Sequence, residues 1–463
     1  AGTVALAAAD PRIPVRELAI ALGEALAEHL AVAVLTGAEV QAPRGLESPA
    51  TIYGPLLDRA EDAHQLVLLC ADAVGRDDPW ARFSIQQADR ILLVTGGGPV
   101  PAQLTDRHDL SGCDLVLYDA PDEAIEGWAE VLEPIESHVW RSDSLSQDLA
   151  RTARRLAGRS VGIVLAGGGA RGFAHIGVLE ELVAAGVQID RVGGVSMGAV
   201  IGALFAMGMD ADTMDAVCFD EWVQRRPLSD FTVPRHSLIR GERFSSMLTR
   251  TFGERRIESL PLSYFAGSTE LRSSSFVVMR SGLLREAVGL SICLPIIAPA
   301  QVRGREIFID GSLTDNLPVA TMAELGEGPI IAVDLKASFT SSSGEARRQA
   351  RARAAARDGA DGTGGTDGTD GTDGALTLER APAAANGGHR AMRKPSLGEV
   401  VTRVLLLGSE NTSESARRHA ALLIRPEISG IGLLEFHQID AAREAGRAAA
   451  REALERLPDA IGV

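Results

Sequence analysis

Short apolar runs alternate with amphipathic stretches through the first 135 residues. Between the first two runs, leucines recur every four residues from Leu18 to Leu30, which predicts an amphipathic helix. Strands and helices that alternate at this spacing predict a parallel sheet with helices on its faces. We therefore expect residues 1–135 to form a Rossmann-like α/β domain, in which we find no catalytic motif. The apolar runs, each typical of a strand, are Thr3–Ala8, Ala31–Leu35, Gln65–Ala71, Arg90–Thr95 and Cys113–Tyr118.

The rest of the chain divides into four predicted segments. Residues 136–158 are charged and indicate a helical connector, and a second α/β unit covers 159–337. Residues 338–395 contain Asp-Gly-Thr repeats and an Arg/Ala stretch, which cannot bury a core and predict a disordered insertion. Residues 396–463 are expected to pack on the second unit. Their predicted elements are a helix at Leu397–Leu407, a strand at Ala421–Arg425 and a helix at Asp440–Leu457.

Composition narrows the class of protein. The chain of 463 residues is 45% hydrophobic and 23% charged, which is typical of a soluble globular protein with about two or three domains. A formal net charge of −16 argues against a nucleic-acid partner. The four cysteines are widely spaced and predict neither a disulfide framework nor a zinc site, so we expect a reduced, cytoplasmic setting. No signal peptide is predicted, and the glycines in the uncharged run Val192–Met209 favour a buried strand–turn–helix over a membrane span.

A glycine-rich turn follows the strand that opens the second unit. The segment Gly167-Gly168-Gly169-Ala170-Arg171-Gly172 comes directly after Val161–Ala166 and before a predicted helix. Unhindered backbone N–H groups at a helix N-terminus hold an anion, either a pyrophosphate or a transient oxyanion. The pattern also fits the dinucleotide-binding fingerprint, with Asp190 at the distance of a ribose-binding acid. A turn needed only for packing is the third alternative, and the loop alone leaves all three open.

The next predicted strand ends in a G-x-S-x-G pentapeptide, Gly194-Val195-Ser196-Met197-Gly198, before the apolar stretch Ala199–Met207. On such a strained turn the serine hydroxyl stands clear of the backbone, and its small neighbours let a substrate approach. A dinucleotide-binding unit has no reason to place this turn on the next strand. We therefore predict that Ser196 is a nucleophile.

A third segment offers a base for this serine. A predicted strand, Glu306–Ile309, runs into Asp310-Gly311-Ser312. A serine hydroxyl is a poor nucleophile until a base takes its proton, and an aspartate at a strand end is a candidate. An Asp-Gly turn without a catalytic role is the alternative. His175 and His437 invite a triad instead, but we expect the first to be a packing residue and the second a surface or core residue.

Together these three segments resemble the patatin-like phospholipases, and more closely the neuropathy target esterase branch of that family. The resemblance covers residues 1–337 and, more loosely, the stretch from 397. Ahead of the second unit it rests on Pro79-Trp80-Ala81-Arg82, Gln87–Val94 and Thr152–Gly158. It implies a three-layer α/β/α catalytic domain preceded by the smaller Rossmann-like α/β domain. The activity it implies is hydrolysis of acyl esters of phospholipids or lysophospholipids, with no metal and no cofactor.

The resemblance also implies roles by position. Ser196 is the implied nucleophile and Asp310 its proton acceptor, a dyad without histidine. The oxyanion hole would use backbone N–H groups of Gly167, Gly168 and Gly169, with Arg171 and Gly172 completing the loop. The elbow and base motifs add Gly194, Gly198, Gly311 and Ser312.

Three positions depart from the family pattern. The family usually has Gly or Ala where Ser312 stands, and Arg and Ser where Gly289 and Cys293 stand. The first change is small. The other two bear more on the identity of the substrate than on the mechanism.

Residues 220–256 are basic, unlike the rest of the chain. They contain eight arginines and five acidic residues, with Trp222, Phe231, Phe244 and Phe252 interleaved. One interpretation is a surface for peripheral, salt-sensitive contact with the inner face of a membrane. The other is a solvated helical lid whose aromatic side chains face the core.

Three function classes follow from these observations. A serine esterase acting on phospholipid or lysophospholipid acyl esters is the leading hypothesis. A catalytically idle scaffold or signalling module and a dinucleotide-dependent oxidoreductase are the alternatives. The sequence predicts no nucleic-acid partner and does not indicate an oligomeric state.

Overall fold

In the computed structural model, residues 2–39, 48–72, 78–101, 104, 110–233, 237–335, 418–458 and 461 are described. Their strands are β1 Gly2–Ala8, β2 Val32–Leu35, β3 Leu66–Ala71, β4 Arg90–Thr95, β5 Asp114–Tyr118, β6 Ser137–Trp140, β7 Val161–Leu165, β8 Ile189–Val195, β9 Ser263–Glu270, β10 Ser275–Met279, β11 Gln301–Arg303, β12 Glu306–Asp310, β13 Ile330–Val333 and β14 Leu422–Ile424. Their α-helices are α1 Val15–Ala27, α2 Pro49–Ala63, α3 Pro79–Gln87, α4 Ile125–Leu132, α5 Leu145–Leu156, α6 Ala174–Ala184, α7 Met197–Ala206, α8 Ala211–Cys218, α9 Glu242–Phe252, α10 Leu284–Ser291, α11 Val319–Ala323 and α12 Ile439–Leu454.

The first sheet has the strand order β2-β3-β1-β4-β5-β6. All of its neighbouring pairs are parallel, which confirms the α/β class predicted from the alternating pattern. Helix α1 buries Leu18, Leu22 and Leu26, as the fourfold leucine spacing predicts. The boundaries proposed at 135 and 158 remain predictions. Residues 136–158, predicted as a helical connector, contain strand β6 as well as helix α5. The strand was not predicted because its polar residues hide its alternating burial.

The second sheet is mixed and has the order β11-β12-β9-β8-β7-β13-β14, with β10 paired to β9. Strands β9, β8, β7, β13 and β14 are parallel neighbours. Strand β12 runs antiparallel to β9. The uncharged run Val192–Met209 is divided between β8 and α7. No helix in the described ranges is both long enough and apolar enough to cross a bilayer.

The C-terminal elements complete this second sheet. Strand β14 falls within the predicted strand, and α12 matches the predicted C-terminal helix. Helix α12 crosses α6 so closely that a methyl group at Gly446 would overlap the Ala174 carbonyl, and one at Gly177 would overlap the Arg443 carbonyl. The predicted helix Leu397–Leu407 and the insertion 338–395 lie outside the described residues.

Both sheets belong to one compact unit, and a buried ionic network connects them. The Nε of Arg155, on α5, donates to Glu327 Oε2 at 2.7 Å, and Arg155 Nη2 donates to Glu136 Oε2 at 2.8 Å. Arg90, on β4, donates to Glu327 Oε1 at 2.9 Å. Burial would raise the pKa of Glu327, but Arg155 and Arg90 outweigh it and hold that pKa at about 2. Glu327 is therefore a carboxylate that two arginines compensate.

Candidate active site

The glycine loop connects β7 to α6 and approaches Ser196 closely. A methyl group at Gly167 would lie 2.7 Å from Asn316 Oδ1 and 3.0 Å from Ser196 Cβ, so no other side chain fits there without displacing them. Gly169 has a φ of +56°, and a methyl group there would overlap the Leu433 carbonyl. A methyl group at Gly172 would overlap the side chain of Met197, the residue after Ser196. The glycines thus let the loop pack against the turn that carries the serine.

The backbone N–H groups of this loop differ in whether they are free. The N–H of Gly167 donates to Asn316 Oδ1 at 3.1 Å, and that of Arg171 donates to the Gly168 carbonyl at 3.3 Å. Within the part of the chain that is described, the N–H groups of Gly168 and Gly169 have no acceptor, and both residues are half-buried. Of the three implied oxyanion donors, Gly168 and Gly169 therefore have an N–H that no described residue accepts. Gly167 instead lets the glycine loop approach Ser196 closely.

Ser196 occupies a strained turn between β8 and α7. Its φ of +54° and ψ of −127° are rare for a residue with a side chain, as expected for the strand-to-helix turn of a G-x-S-x-G motif. A methyl group at Gly194 would overlap the Gly198 carbonyl, and one at Gly198 would overlap the Leu165 carbonyl. Both glycines of the pentapeptide are therefore needed for the turn to close.

Asp310, the last residue of β12, faces the serine. Ser196 Oγ donates to Asp310 Oδ2 at 2.7 Å, and the N–H of Ser312 donates to Asp310 Oδ1 at 2.9 Å. The carboxyl group is fully buried. Burial raises the pKa of Asp310, while hydrogen bonds from Ser196 and Ser312 oppose that rise. The structure thus brings together a hydroxyl and a carboxylate that can take its proton.

Gly311 and two polar side chains hold this pair in place. A methyl group at Gly311 would overlap the Gly267 carbonyl on β9. Because glycine has no side chain, Asp310 can lie against this neighbouring strand. Ser291 Oγ accepts the N–H of Ser196 at 3.0 Å and donates to that Gly267 carbonyl at 2.6 Å. Asn316 binds both backbone groups of Gly167, because its Nδ2 also donates to the Gly167 carbonyl at 3.3 Å.

Residues 431–436, which we call the C-terminal strap, support the glycine loop from the other side. The Ile431 carbonyl accepts Arg171 Nε at 2.7 Å, and the Leu433 carbonyl accepts the N–H of Ala170 at 2.8 Å. The ring of Phe436 lies 6.0 Å from that of Phe173, which follows the loop. Arg171 therefore anchors the strap to the loop. No local sequence pattern indicated a role for Ser291, Asn316 or the strap, because their contacts join residues far apart in the chain.

Neither candidate histidine joins the serine and the aspartate. His175 is buried, its Nε2 lies 2.8 Å from the Ala166 carbonyl, and burial lowers its pKa to about 4. It packs beneath the glycine loop as a neutral ring. His437 is exposed in a 3-10 turn that spans Phe436–Gln438, and it bonds to neither Ser196 nor Asp310.

The position of Asp190 disfavours the dinucleotide alternative. Asp190 lies at the start of β8, buried, and accepts Arg154 Nε at 2.8 Å and Nη2 at 2.6 Å. The glycine loop follows the end of β7, which is parallel to β8. Asp190 is therefore at the opposite edge of the sheet from the loop, and its carboxylate is already paired.

Comparison with known proteins finds a family model that matches part of the chain. Residues 163–323 match the family model described as patatin-like phospholipase. The chain contains a patatin-like phospholipase domain. The matched range includes the glycine loop, Ser196 and Asp310, so the three segments on which the resemblance rests lie inside this domain.

Relatives carry the resemblance beyond the patatin-like domain. An NTE family protein of Mycobacterium tuberculosis is 34% identical over 410 residues, which cover 88% of this chain and 65% of that protein. Lysophospholipase NTE1 of Coccidioides immitis is 32% identical over 329 residues, 70% of this chain and 19% of that protein. Patatin-like phospholipase domain-containing protein 7 of Mus musculus is 28% identical over 379 residues, 72% of this chain and 28% of that protein. The predicted similarity to the NTE branch is confirmed.

This chain spans 65% of the length of the Mycobacterium relative and less of the other two. Among solved structures, VipD from Legionella pneumophila aligns with a TM-score of 0.34 and 12% identity, covering 65% of this chain and 67% of that one. That likeness is too weak to bear on function.

Proposed function

We propose that the patatin-like domain is a serine esterase that hydrolyses acyl esters of phospholipids or lysophospholipids. The observation that carries the proposal is the 2.7 Å hydrogen bond from Ser196 Oγ to the buried carboxylate of Asp310. The strained turn at Ser196 supports it, as do the N–H groups of Gly168 and Gly169, which donate to no described residue. The substrate class rests on the patatin-like phospholipase match and on a relative named as a lysophospholipase.

The proposed reaction proceeds through an acyl-enzyme. Asp310 accepts the proton of Ser196 as Oγ attacks the ester carbonyl carbon, and the carbonyl oxygen becomes an oxyanion. The N–H groups of Gly168 and Gly169 donate to that oxyanion. Asp310 then gives its proton to the departing alcohol. A water molecule attacks the acyl-enzyme and Asp310 takes a proton from it. Asp310 returns that proton to Ser196 Oγ as the bond between Oγ and the acyl carbon breaks, and the fatty acid leaves.

A fluorophosphonate probe tests the nucleophile directly. We expect the probe to label the wild-type protein at one serine, because a phosphonate traps a serine that a neighbouring base activates. Ser196→Ala should abolish labelling, whereas Ser246→Ala, at an exposed serine of α9, should leave it unchanged. Labelling is read by mass spectrometry of the intact protein. An unlabelled wild type would favour the idle scaffold, and a labelled Ser196→Ala variant would place the nucleophile elsewhere.

The close approach of the glycine loop to Ser196 gives a second test. Gly167→Ala should lower kcat/KM for a short-chain ester by about 100-fold, because the added methyl group displaces Asn316 or Ser196 and a shift of about 1 Å has a cost of that size. Gly54→Ala is the matched control, because Gly54 lies in helix α2 with open space around it. Thermal unfolding of both variants separates lost activity from lost folding. Wild-type kcat/KM in Gly167→Ala would contradict the proposed role of this contact.

A further inference from the structure

Four large apolar side chains lie exposed on two connected segments. Phe231, Val233, Leu238 and Ile296 are 72%, 77%, 41% and 51% exposed, and we call them the apolar rim. The N–H of Leu238 donates to the Ile296 carbonyl at 2.7 Å, and the N–H of Thr232 donates to the Leu238 carbonyl at 2.9 Å. Single exposed apolar residues are ordinary on a protein surface. A group of them on hydrogen-bonded segments is typical of an interaction surface.

The rim lies beside the candidate active site. Ile296 is the fifth residue after Ser291, whose hydroxyl accepts the N–H of Ser196. The carbonyl of Cys293 accepts the N–H of Asp310 at 3.0 Å. Ile296 is the third residue after Cys293, so their Cα atoms are at most about 11 Å apart. A partner surface that binds the apolar rim therefore lies close to Ser196.

The backbone at Ile296 is strained. Its φ is +75°, a conformation that a β-branched residue rarely adopts. Strain of this kind persists where the surrounding structure imposes it, and it is concentrated at functional segments. Here it coincides with an apolar side chain left in solvent.

The charge around the rim favours an anionic partner. Arg226, Arg240 and Arg243 are exposed, and their guanidinium groups form no ion pair with any described residue. They stand out on a chain whose net charge is −16. A second copy docked through the same patch would bring these arginines together, and like charges across an interface oppose association. Apolar side chains beside exposed arginines that no described carboxylate pairs instead fit the headgroup layer of an anionic membrane.

We propose that the apolar rim, with Arg226, Arg240 and Arg243, docks the domain on an anionic lipid surface. This inference rests on the proposed function, since docking would bring lipid esters to Ser196. It restricts the membrane-contact surface predicted from residues 220–256, because Phe231 is the exposed one of their four aromatic residues. Their other aromatic side chains are buried in the core, as the lid alternative predicts; they are Trp222, Phe244 and Phe252.

Vesicle sedimentation tests the surface without catalysis. All proteins carry Ser196→Ala, and the vesicles are phosphatidylglycerol mixed with phosphatidylcholine, or phosphatidylcholine alone. We expect Phe231→Ser with Leu238→Ser to weaken binding to the anionic vesicles by at least about tenfold, because each side chain loses its burial in lipid. Ile20→Ser with Val183→Ser, at exposed apolar positions on α1 and α6, should bind as the parent does. Added salt should weaken binding of the parent.

Activity separates this inference from the proposed function. With Ser196 intact, the rim variant should hydrolyse p-nitrophenyl butyrate as the wild type does and lose activity only on vesicle lipid. If the wild type fails to cleave the soluble ester, the proposed function fails, whatever the vesicle result. If the rim variant binds vesicles as the parent does, or if the rim instead supports self-association in sedimentation velocity, the docking inference is overturned.

Discussion

Replacing Asp310 by asparagine is expected to lower kcat/KM for a short-chain ester by about 10²–10⁴-fold. That is the usual contribution of a positioned general base. Asparagine keeps the shape of the side chain, and its amide can still accept the 2.7 Å hydrogen bond from Ser196 Oγ, but it cannot take the proton. Steady-state kinetics with p-nitrophenyl butyrate give the value. His437→Ala, at an exposed histidine, is the control and should keep wild-type activity.

The pH profile adds a second readout for the same carboxylate. Burial raises the pKa of Asp310 above the ordinary 3.8, and only the deprotonated form accepts a proton from Ser196. Activity should therefore fall as the pH drops through that raised pKa, so the acid limb of kcat/KM lies above pH 3.8. Asp310→Asn should lack this limb in its residual activity. A variant with wild-type kcat/KM, or one that keeps the same acid limb, would remove Asp310 as the base.

Replacing Glu327 by glutamine is expected to lower the free energy of unfolding by about 3–5 kcal/mol at pH 7. The cause is that Arg155 and Arg90 lose the carboxylate that compensates their charge, and Arg155 is itself buried. Urea denaturation measures the change. Glu452→Gln, which breaks an exposed pair with Arg456, should cost less than about 1 kcal/mol.

The same carboxylate makes stability depend on pH. Its pKa is about 2 in the folded protein against an ordinary 4.5, so its stabilisation is fully present above pH 4.5 and is lost as the pH falls towards 2. Wild-type stability should therefore drop across that window more steeply than that of Glu327→Gln. Parallel curves for the two proteins would show that Glu327 is not the group responsible.

Much of the fold follows from local patterns in the sequence. Alternating apolar and amphipathic stretches in residues 1–135 predicted parallel strands with helices between them, and strands β1 to β5 fall on the predicted apolar runs. Strand β6 was not predicted because it is short and two of its four residues, Ser137 and His138, are polar. The histidine in it is an example: His138 lies within 3.3 Å of Asp114 Oδ2, a contact between neighbouring strands that no local pattern reveals.

The candidate site was partly predictable for a different reason. A nucleophile and a glycine loop leave short motifs, because each must satisfy backbone geometry within a few residues. The choice among the loop's N–H groups could not be predicted, since it depends on Asn316, which is 149 residues away from Gly167. The apolar rim was also hidden. The sequence does not distinguish the four aromatic residues in 220–256 from one another. Tertiary packing buries three of them and leaves Phe231 exposed to solvent.

The C-terminal strap has a consequence for protein synthesis. Arg171 and the Ile431 carbonyl that it binds are 260 residues apart in the chain. The ribosome must therefore translate 260 residues beyond Arg171 before the glycine loop gains this support. A nascent polypeptide carries Ser196 and Asp310 well before the loop beside them is held, so the site is complete only after the strap has been synthesised.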